Sequence, residues 1–183
     1  MSDNPLFNEV GIEKDGKPTV YNLGDWKKIA VHTDTEIRGF FGDYRWLSNF
    51  HESIVFYEGA AYLSSENAYQ AAKVREEDRE KLQTCSPADS KKIWKICKKI
   101  DVDAKQWDAR KYDVMSAVIF DKFHTDAILK KFLLDTGTKY LEELNWWGDD
   151  YWGVDLKKGG QNKLGIILMA TRTHLRTLEK YRT

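Results

Sequence analysis

The sequence of 183 residues is poor in cysteine and proline and has no long apolar run. Its two cysteines, Cys85 and Cys97, have no second cysteine or histidine at zinc-site spacing, so we expect reduced thiols and no metal. No apolar run approaches the ~20 residues that span a bilayer. The first residues also lack the basic and apolar regions of a secretory signal. These absences predict an intracellular, cytoplasmic protein that has no membrane partner.

An excess of charge is also absent, because 29 basic residues balance 29 acidic ones. Proteins that bind long duplex nucleic acid usually have a basic excess, so the balance excludes that class. Lysines do cluster locally, in KKIWKICKK at residues 91–99 and in LKKGGQNK at residues 156–163. In the first cluster the following apolar side chains recur at helical spacing: Ile93, Ile96, Cys97 and Ile100. This pattern predicts a helix whose lysines form a solvated face.

The length of the chain fits a single domain. Residues 1–35 show little periodicity, apart from a short strand near Val20 and Tyr21, and are predicted to form an irregular N-terminal extension. Residues 36–183 are predicted to form the folded domain. This domain begins with two β-prone segments, 37–41 and 53–59, on either side of an aromatic loop. We expect these segments to form the edge of a small sheet.

Helical patterns dominate the rest of the chain. Ser64 and Ser86 are placed to cap helices over 64–75 and 86–99, and Pro87 occupies a first helical position. Apolar residues at helical spacing predict further helices in the following segments: 108–123, 125–137 and 162–181. The sequence therefore predicts a mainly helical α+β fold with a small sheet.

One of these helices places polar residues on a single face. Tyr69, Gln70 and Lys73 follow Glu66 by three, four and seven positions. If this face is solvated, it has no chemical role, and the alanines opposite pack against a neighbour. If it lines a pocket, the carboxylate and a desolvated lysine form an acid/base and nucleophile pair. The pattern leaves both interpretations open, although an aromatic ring within the face favours the second.

Two glycine-containing segments are further candidates. In WWGDDYWG, Asp149 and Asp150 lie among aromatic rings that suit the stacking of a planar group. An ordinary turn that closes over the core explains this segment equally well. KKGGQNKLG leads into a helix, where glycines and exposed backbone N–H groups favour a phosphate. A plain loop with an asparagine cap explains this second segment nearly as well.

Five segments, taken in chain order, resemble the NADAR family, also called YbiA-like. They are FFGDYRWLSNF, SSENAYQAAK, Trp107 ahead of VMSAVIFDKF, LLDTGTKYLEE, and DDYWGVDLKKGGQNKLGIILMATR. The resemblance covers roughly residues 36–176 and implies a single, mostly helical α+β catalytic domain with N-glycosidase activity. One departure lies at residues 67–69, where the family often has a histidine and two aromatics.

The resemblance implies substrates in which C1 of a ribose is bonded to an exocyclic amine. Some members of the family act on ribosylamine intermediates of riboflavin synthesis, and others remove ADP-ribose from modified guanine. We expect the second activity, on a nucleoside or a single strand, with no cofactor and no obligate protein partner. Riboflavin-type substrates are the first alternative, and a module that binds ADP-ribose or NAD without catalysis is the second.

The resemblance also implies roles for individual residues. Lys73 would attack C1 and form a Schiff base, Glu66 would transfer protons, and Asp149 would hold the ribose hydroxyls. Lys163 is a second candidate for the covalent lysine. The other positions expected around the substrate match family motifs or lie beside them: Ser48, Asn49, Tyr69, Gln70, Trp107, Trp152, Gly153, Gly160, Asn162 and Lys163.

Overall fold

Helices and short strands alternate along the chain. The computed structural model describes residues 9–12, 18–21, 23–101 and 103–181. Within these residues the strands are β1 (Glu9–Ile12), β2 (Pro18–Tyr21), β3 (Val31–His32), β4 (Glu36–Arg38), β5 (Glu52–Tyr57), β6 (Ala60–Ser64), β7 (Tyr140–Glu142), β8 (Leu144–Asn145) and β9 (Val154–Asp155). The helices are α1 (Ser65–Ala71), α2 (Glu76–Arg79), α3 (Pro87–Ile96), α4 (Ala104–Thr125), α5 (Ala127–Asp135) and α6 (Lys163–Lys180). The predicted α+β class, mainly helical with small sheets, is confirmed.

The chain divides into two compact units. The first unit combines the described residues up to Arg45 with residues 138–166, and the second combines residues 46–137 with the described residues from Ile167 onward. Helix α6 begins in the first unit and continues in the second. The predicted boundary near residue 35 differs from this division, and the assignment of residues 36–183 to one catalytic domain stays a prediction.

The first unit contains most of the strands. β1 and β2 form an antiparallel hairpin, β4 lies between antiparallel β3 and parallel β7, and β8 pairs with β9 in parallel. The strand expected near Val20 and Tyr21 is part of β2, so the N-terminal extension is more regular than expected. Residues 1–8, 13–17 and 22 of that extension lie outside the described residues.

The two β-prone segments that were expected to share a sheet edge belong to separate sheets. β4 ends at Arg38, because Gly39 follows in the left-handed region at φ 84° and the chain turns away from the sheet. A 3-10 helix over Gly42–Leu47 occupies the predicted aromatic loop. β5 instead pairs with β6, which the sequence analysis did not predict.

The second unit is built around α1. The β5–β6 hairpin leads directly into this helix, which packs against α3, α4 and β5. Ala68, Ala71 and Ala72 are completely buried, and their small side chains allow the neighbouring elements to approach closely. The predicted apolar stripe of α4 is likewise buried, at Met115, Val118, Ile119 and Phe123.

The predicted helix starts are partly correct. The Ser86 hydroxyl caps α3 by accepting a hydrogen bond from the Asp89 N–H, and Pro87 is the first helical residue, as expected. The predicted apolar stripe of α3 is wrong, because Ile96 is 87% exposed and Ile100 is 43% exposed. The helix ends at Ile96, and the chain continues in an extended conformation at Cys97, which interrupts the helical spacing.

α4 also differs from its prediction, since it begins at Ala104 and includes Trp107 in its first turn. The cause is Asp103, whose carboxylate accepts a hydrogen bond from the Gln106 N–H and caps the helix early. α5 begins after Asp126, which caps it by accepting from the N–H groups of Ile128 and Leu129.

A fully buried lysine of α4 supports the segment that precedes α1. The Lys122 ammonium donates to the carbonyl oxygens of Trp46, at 2.8 Å, and Ser48, at 2.9 Å. The next carbonyl, that of Asn49, accepts a hydrogen bond from the Glu66 N–H at 3.1 Å. Lys122 therefore holds the backbone to which the first turn of α1 is attached.

We expect the substitution Lys122→Met to lower the free energy of unfolding by about 2–4 kcal/mol, because it removes the ammonium that donates to two backbone carbonyls. Urea denaturation followed by tryptophan fluorescence measures this change. Lys131→Met is the matched control, since the Lys131 side chain is 72% exposed on α5. Equal effects of the two substitutions would contradict the supporting role of Lys122.

Candidate active site

The polar face of α1 is buried. Glu66 is 5% exposed and Gln70 is 3% exposed, and every residue from Ser65 to Ala71 is buried. The interpretation of this face as solvated is therefore wrong. Tertiary packing buries this face. α1 contacts α3, α4, β5 and β6, and both its alanines and its polar residues are buried. Ser64 caps the helix as predicted, with its hydroxyl accepting from the Asn67 N–H at 3.2 Å.

Three polar side chains of this segment form a continuous hydrogen-bonded chain. The Gln70 amide donates through Nε2 to Glu66 Oε1 at 2.6 Å, and Lys73 Nζ donates to Gln70 Oε1 at 2.7 Å. The amide therefore lies between the carboxylate and the ammonium, with its donor toward the negative group and its acceptor toward the positive one. This order fixes the amide orientation and joins the two charged groups through one buried residue.

The backbone of Lys73 lies just beyond the end of α1 and is held by other elements. Its carbonyl accepts from the Ile100 N–H at 3.1 Å, and the carbonyl of Ala72 accepts from the Arg110 guanidinium at 2.6 Å. The Arg75 N–H donates to the Lys98 carbonyl at 2.9 Å. Hydrogen bonds to the chain between α3 and α4 thus fix the position of this lysine.

Three aromatic rings surround the Lys73 ammonium. Its Nζ lies 4.5 Å from the ring centres of Tyr69 and Trp94 and 5.2 Å from that of Trp107. Tyr69 and Trp107 also contact each other edge to face, with their ring centres 5.2 Å apart. The sequence analysis selected Tyr69 and Trp107 but missed Trp94, whose helical position gave no signal that α3 would face this lysine.

Burial lowers the pKa of Lys73 from 10.5 to about 8, because the protein replaces the water that would solvate the ammonium. The Glu66 carboxylate raises this pKa, while the positive charges of Lys91 and Lys99 lower it further. At this pKa roughly a tenth of the lysine is a neutral amine at pH 7. A neutral amine beside a carboxylate is a group that can attack an electrophilic carbon.

Ser48 and Asn49 lie at the start of this site, and both are buried. The Ser48 hydroxyl accepts from the Phe50 N–H at 3.2 Å and so serves the local turn. The Asn49 amide donates to the sulfur of Met115 at 3.4 Å, and its Oδ1 is buried without a donor among the described residues. Asn49 therefore has a carbonyl oxygen that a substrate hydroxyl or amine could engage.

The aspartate of the aromatic loop stabilises a turn. Asp149 Oδ1 accepts from the N–H groups of Tyr151, at 3.2 Å, and Trp152, at 2.8 Å. Asn145 bonds both the N–H and the carbonyl of Asp149. Asp149 Oδ1 thus has the role that the turn interpretation predicts. The rings of Tyr151 and Trp152 contact each other edge to face, with their centres 4.8 Å apart.

Two glycines of the first unit are required because backbone carbonyls pack closely against them. A Cβ at Gly153 would lie 2.3 Å from the Glu143 carbonyl oxygen, and one at Gly160 would lie 2.2 Å from the Gly153 carbonyl oxygen. Asn162 has a φ of 50°, and its side chain accepts from the Glu143 N–H and donates to the Leu141 carbonyl. These residues build the loop before Lys163, the first residue of α6.

The structure thus brings one subset of the predicted residues together in the second unit: Glu66, Tyr69, Gln70, Lys73 and Trp107. A second subset shares the loop of the first unit: Asp149, Trp152, Gly153, Gly160, Asn162 and Lys163. Across the residues that the structure describes, no group of three or more histidine, cysteine, aspartate or glutamate side chains is arranged to hold a metal ion. None of the described helices is long and apolar enough to cross a membrane.

Comparison with known proteins identifies the family. The model of the NADAR domain matches residues 37–176, which is more than half of the chain. The chain belongs to the NADAR family.

Relatives and a solved structure agree with this assignment. The N-glycosidase YbiA of Escherichia coli K12 is 32% identical over 135 residues, which cover 73% of this NADAR chain and 82% of the relative. An N-glycosidase of Nostoc punctiforme is 38% identical over 74 residues, 40% of this chain and 47% of that protein. A riboflavin biosynthesis protein of Vibrio vulnificus is 28% identical over 136 residues, 74% of this chain and 36% of that protein. The NMR structure of E. coli YbiA is 30% identical, with a TM-score of 0.68 over 84% of this chain and 92% of that one.

The substitution Lys73→Met should stabilise the fold at neutral pH. The pKa of Lys73 is about 8 in the folded state against an ordinary 10.5, so the unfolded chain binds this proton more tightly. The charged lysine therefore lowers the free energy of unfolding by about 1–3 kcal/mol. This destabilisation is fully present below pH 8 and disappears as the pH rises to 10.5. Urea denaturation at a series of pH values should show this gain for Lys73→Met and its loss toward pH 10.5. Lys95→Met, at an exposed lysine, is the control for loss of a lysine charge, and a pH-independent gain in Lys73→Met would contradict the expectation.

Replacing the Glu66 carboxylate tests its electrostatic effect on Lys73. Glu66 raises the pKa of Lys73, so Glu66→Gln should lower this pKa below about 8. The pH dependence of acetic anhydride labelling, followed by mass spectrometry of the Lys73 peptide, measures the shift without a substrate. Glu77→Gln on the exposed side of α2 is the matched control and should leave it unchanged. A higher pKa in Glu66→Gln would rule out the electrostatic role of Glu66.

Proposed function

We propose that this NADAR chain is an N-glycosidase that cleaves the bond between ribose C1 and an exocyclic amine and removes ADP-ribose from guanine. The NADAR match and relatives named N-glycosidase support the glycosidase activity. The observation on which the mechanism depends is Lys73, an amine with a pKa lowered to about 8 that is joined through Gln70 to Glu66. Desolvated lysines of this kind are suited to imine chemistry.

The reaction begins with opening of the ribose ring of the glycosylamine. The ring oxygen leaves C1 with a proton, and C1 becomes an imine with the exocyclic nitrogen of the base. The neutral Lys73 amine then adds to C1, and the base departs as a free amine after its nitrogen gains a proton. Water adds to the resulting Schiff base, releases the sugar with an aldehyde at C1, and returns Lys73 to its amine form. No oxidant, metal or cofactor enters this balance.

Glu66 provides the proton transfers in this scheme. Its carboxylate is buried beside the Gln70 amide, and general acid–base catalysis by a positioned side chain typically contributes 10²–10⁴-fold in rate. The rings of Tyr69, Trp94 and Trp107 exclude water from Lys73 and stabilise the cationic imine by cation–π contact. Asn49 Oδ1 accepts from a hydroxyl or an amine of the substrate.

For Asp149, Trp152 and the loop before α6, contact with the substrate is proposed from the resemblance to the family alone. Because Asp149 Oδ1 already accepts two backbone N–H groups, the contact to the sugar would use its second oxygen. Lys163 remains the second candidate for the covalent lysine. The base is proposed to lie in a nucleoside or a single strand, in line with the zero net charge of the chain.

A second candidate substrate is a ribosylamine phosphate of riboflavin synthesis. The name of the Vibrio relative, a riboflavin biosynthesis protein that shares 28% identity, favours it. The bond and the mechanism are the same for both substrates. A protein that binds ADP-ribose or NAD without cleaving it would need neither a neutral lysine nor an adjacent carboxylate.

Trapping the intermediate tests the mechanism directly. The protein is incubated with a single-stranded oligonucleotide that contains ADP-ribosylated guanine, borohydride is added, and the intact protein mass is measured. We expect release of ADP-ribose and a reduced adduct on the wild type. Lys73→Met should lose the adduct, and Glu66→Gln should lower the rate of release by about 10²–10⁴-fold because a proton-transfer group is lost.

Lys163→Met is the control for the second lysine and should retain the adduct. Loss of the adduct in Lys163→Met, with retention in Lys73→Met, would assign the covalent bond to Lys163. Cleavage of a riboflavin-type ribosylamine phosphate in place of the oligonucleotide would favour the second substrate. Tight binding of ADP-ribose without release or adduct on either substrate would overturn the catalytic proposal.

A further inference from the structure

The lysines of residues 91–99, which the sequence analysis assigned to a solvated helix face, differ in their surroundings. Lys91 Nζ lies 4.9 Å from the ring centre of Phe50, and Lys99 Nζ lies 4.6 Å from that of Trp94. Trp94 is also the ring that contacts Lys73 Nζ at 4.5 Å. The positive charges of Lys73 and Lys99 therefore share one indole ring, and Lys91 is on the turn of α3 that precedes it.

The charges that act on Lys73 do not balance. Lys91 and Lys99 both act electrostatically on Lys73, and the carboxylate that acts on it is Glu66 of α1. On the α4 side, Arg110 lies over Trp107 at 4.7 Å and is paired with Asp101 at 2.8 Å, so its charge is already compensated. Among the side-chain charges that act on Lys73, two are therefore positive and one is negative. Like charges this close repel one another, and a bound anion would relieve the repulsion.

Lys99 is held in a fixed position. Its ammonium donates to the carbonyl oxygen of Trp94 and, at 2.8 Å, to that of Cys97. These carbonyls use two of its three N–H donors and leave one for a ligand. Other lysines of the same segment differ, since Lys92 is paired with Asp89 at 3.0 Å and Lys95 is exposed.

We propose that Lys91 and Lys99, on either side of Trp94, bind the phosphate groups of a phosphorylated ribose whose C1 is attacked by Lys73. The placement of C1 rests on the proposed function, whereas binding of the anion does not. The ligand class is a ribose 5-phosphate ester, as a monoester or within a diphosphate. The KKGGQNKLG segment, for which the sequence also predicts a phosphate contact, is a separate candidate.

A charge-matched pair of double variants tests this site. Calorimetric titration with inorganic pyrophosphate, and separately with orthophosphate, compares the wild type, Lys91→Gln/Lys99→Gln and Lys92→Gln/Lys95→Gln. The two double variants lose the same charge from the same segment. We expect pyrophosphate binding to weaken at least tenfold in the first variant and less than twofold in the second. Equal weakening in both, or no measurable binding by the wild type, would overturn the proposal.

The Lys99 ammonium also bonds the end of α3, so replacing Lys99 could destabilise the fold. The single variant Lys91→Gln tests the site without this change. Because Lys91 is exposed, its replacement should leave the urea midpoint unchanged and weaken binding about threefold or more. Unchanged binding in Lys91→Gln would remove this lysine from the site and overturn the proposal as stated. Titrations with ADP-ribose and with ribose 5-phosphate then separate a diphosphate ligand from a monoester. Ribose carries no phosphate and should show no difference in binding among the variants.

Kinetics separate this proposal from the proposed function. With the ADP-ribosylated oligonucleotide, Lys91→Gln/Lys99→Gln should raise KM about tenfold and leave kcat within threefold. Pyrophosphate binding that depends on these lysines, without any cleavage, would support the phosphate site and overturn the glycosidase. Cleavage with the same KM in both double variants would support the glycosidase and overturn the phosphate site.

Discussion

Burial of a charged hydrogen-bonded chain in a short helix is the constraint on which the second unit depends. α1 has seven residues, too few for a helix that is stable in isolation. It persists because Ser64 caps it, because its alanines allow close packing, and because Gln70 satisfies both Glu66 and Lys73. Without the amide, the carboxylate and the ammonium would each lose a hydrogen bond in a position from which water is largely excluded.

The surroundings of this chain act on the charge of Lys73 in opposite directions. Burial of Lys73 disfavours its charged form, while contacts with three aromatic rings compensate part of that cost. The segment before α1 is supported from the other side by Lys122, whose ammonium bonds backbone carbonyls. Under the proposed function, this rigid support would hold Lys73 in the orientation that attack on C1 requires.

The sequence predicted much of this arrangement because local rules apply to it. The caps at Ser64 and Ser86, the core stripe of α4 and the shared face of Glu66, Gln70 and Lys73 all follow from spacing along one element. The errors arose where distant elements decide the outcome. Whether the α1 face is buried depends on packing by α3 and α4, and the contact of Trp94 with Lys73 joins two separate helices. The close backbone contacts at Gly153 and Gly160 likewise cannot be inferred from one strand or one turn.

The attachment of Lys73 to the chain beyond α3 has a consequence for how this site can vary in evolution. The residue follows the last turn of α1, and its carbonyl is bonded to Ile100, while the neighbouring Ala72 carbonyl is bonded to Arg110. Surface connections between helices usually tolerate insertions and deletions. Here an added or lost residue between α3 and α4 would displace the amine even if α1 kept its structure. The site should therefore accept substitutions in this connection more readily than a change in its length.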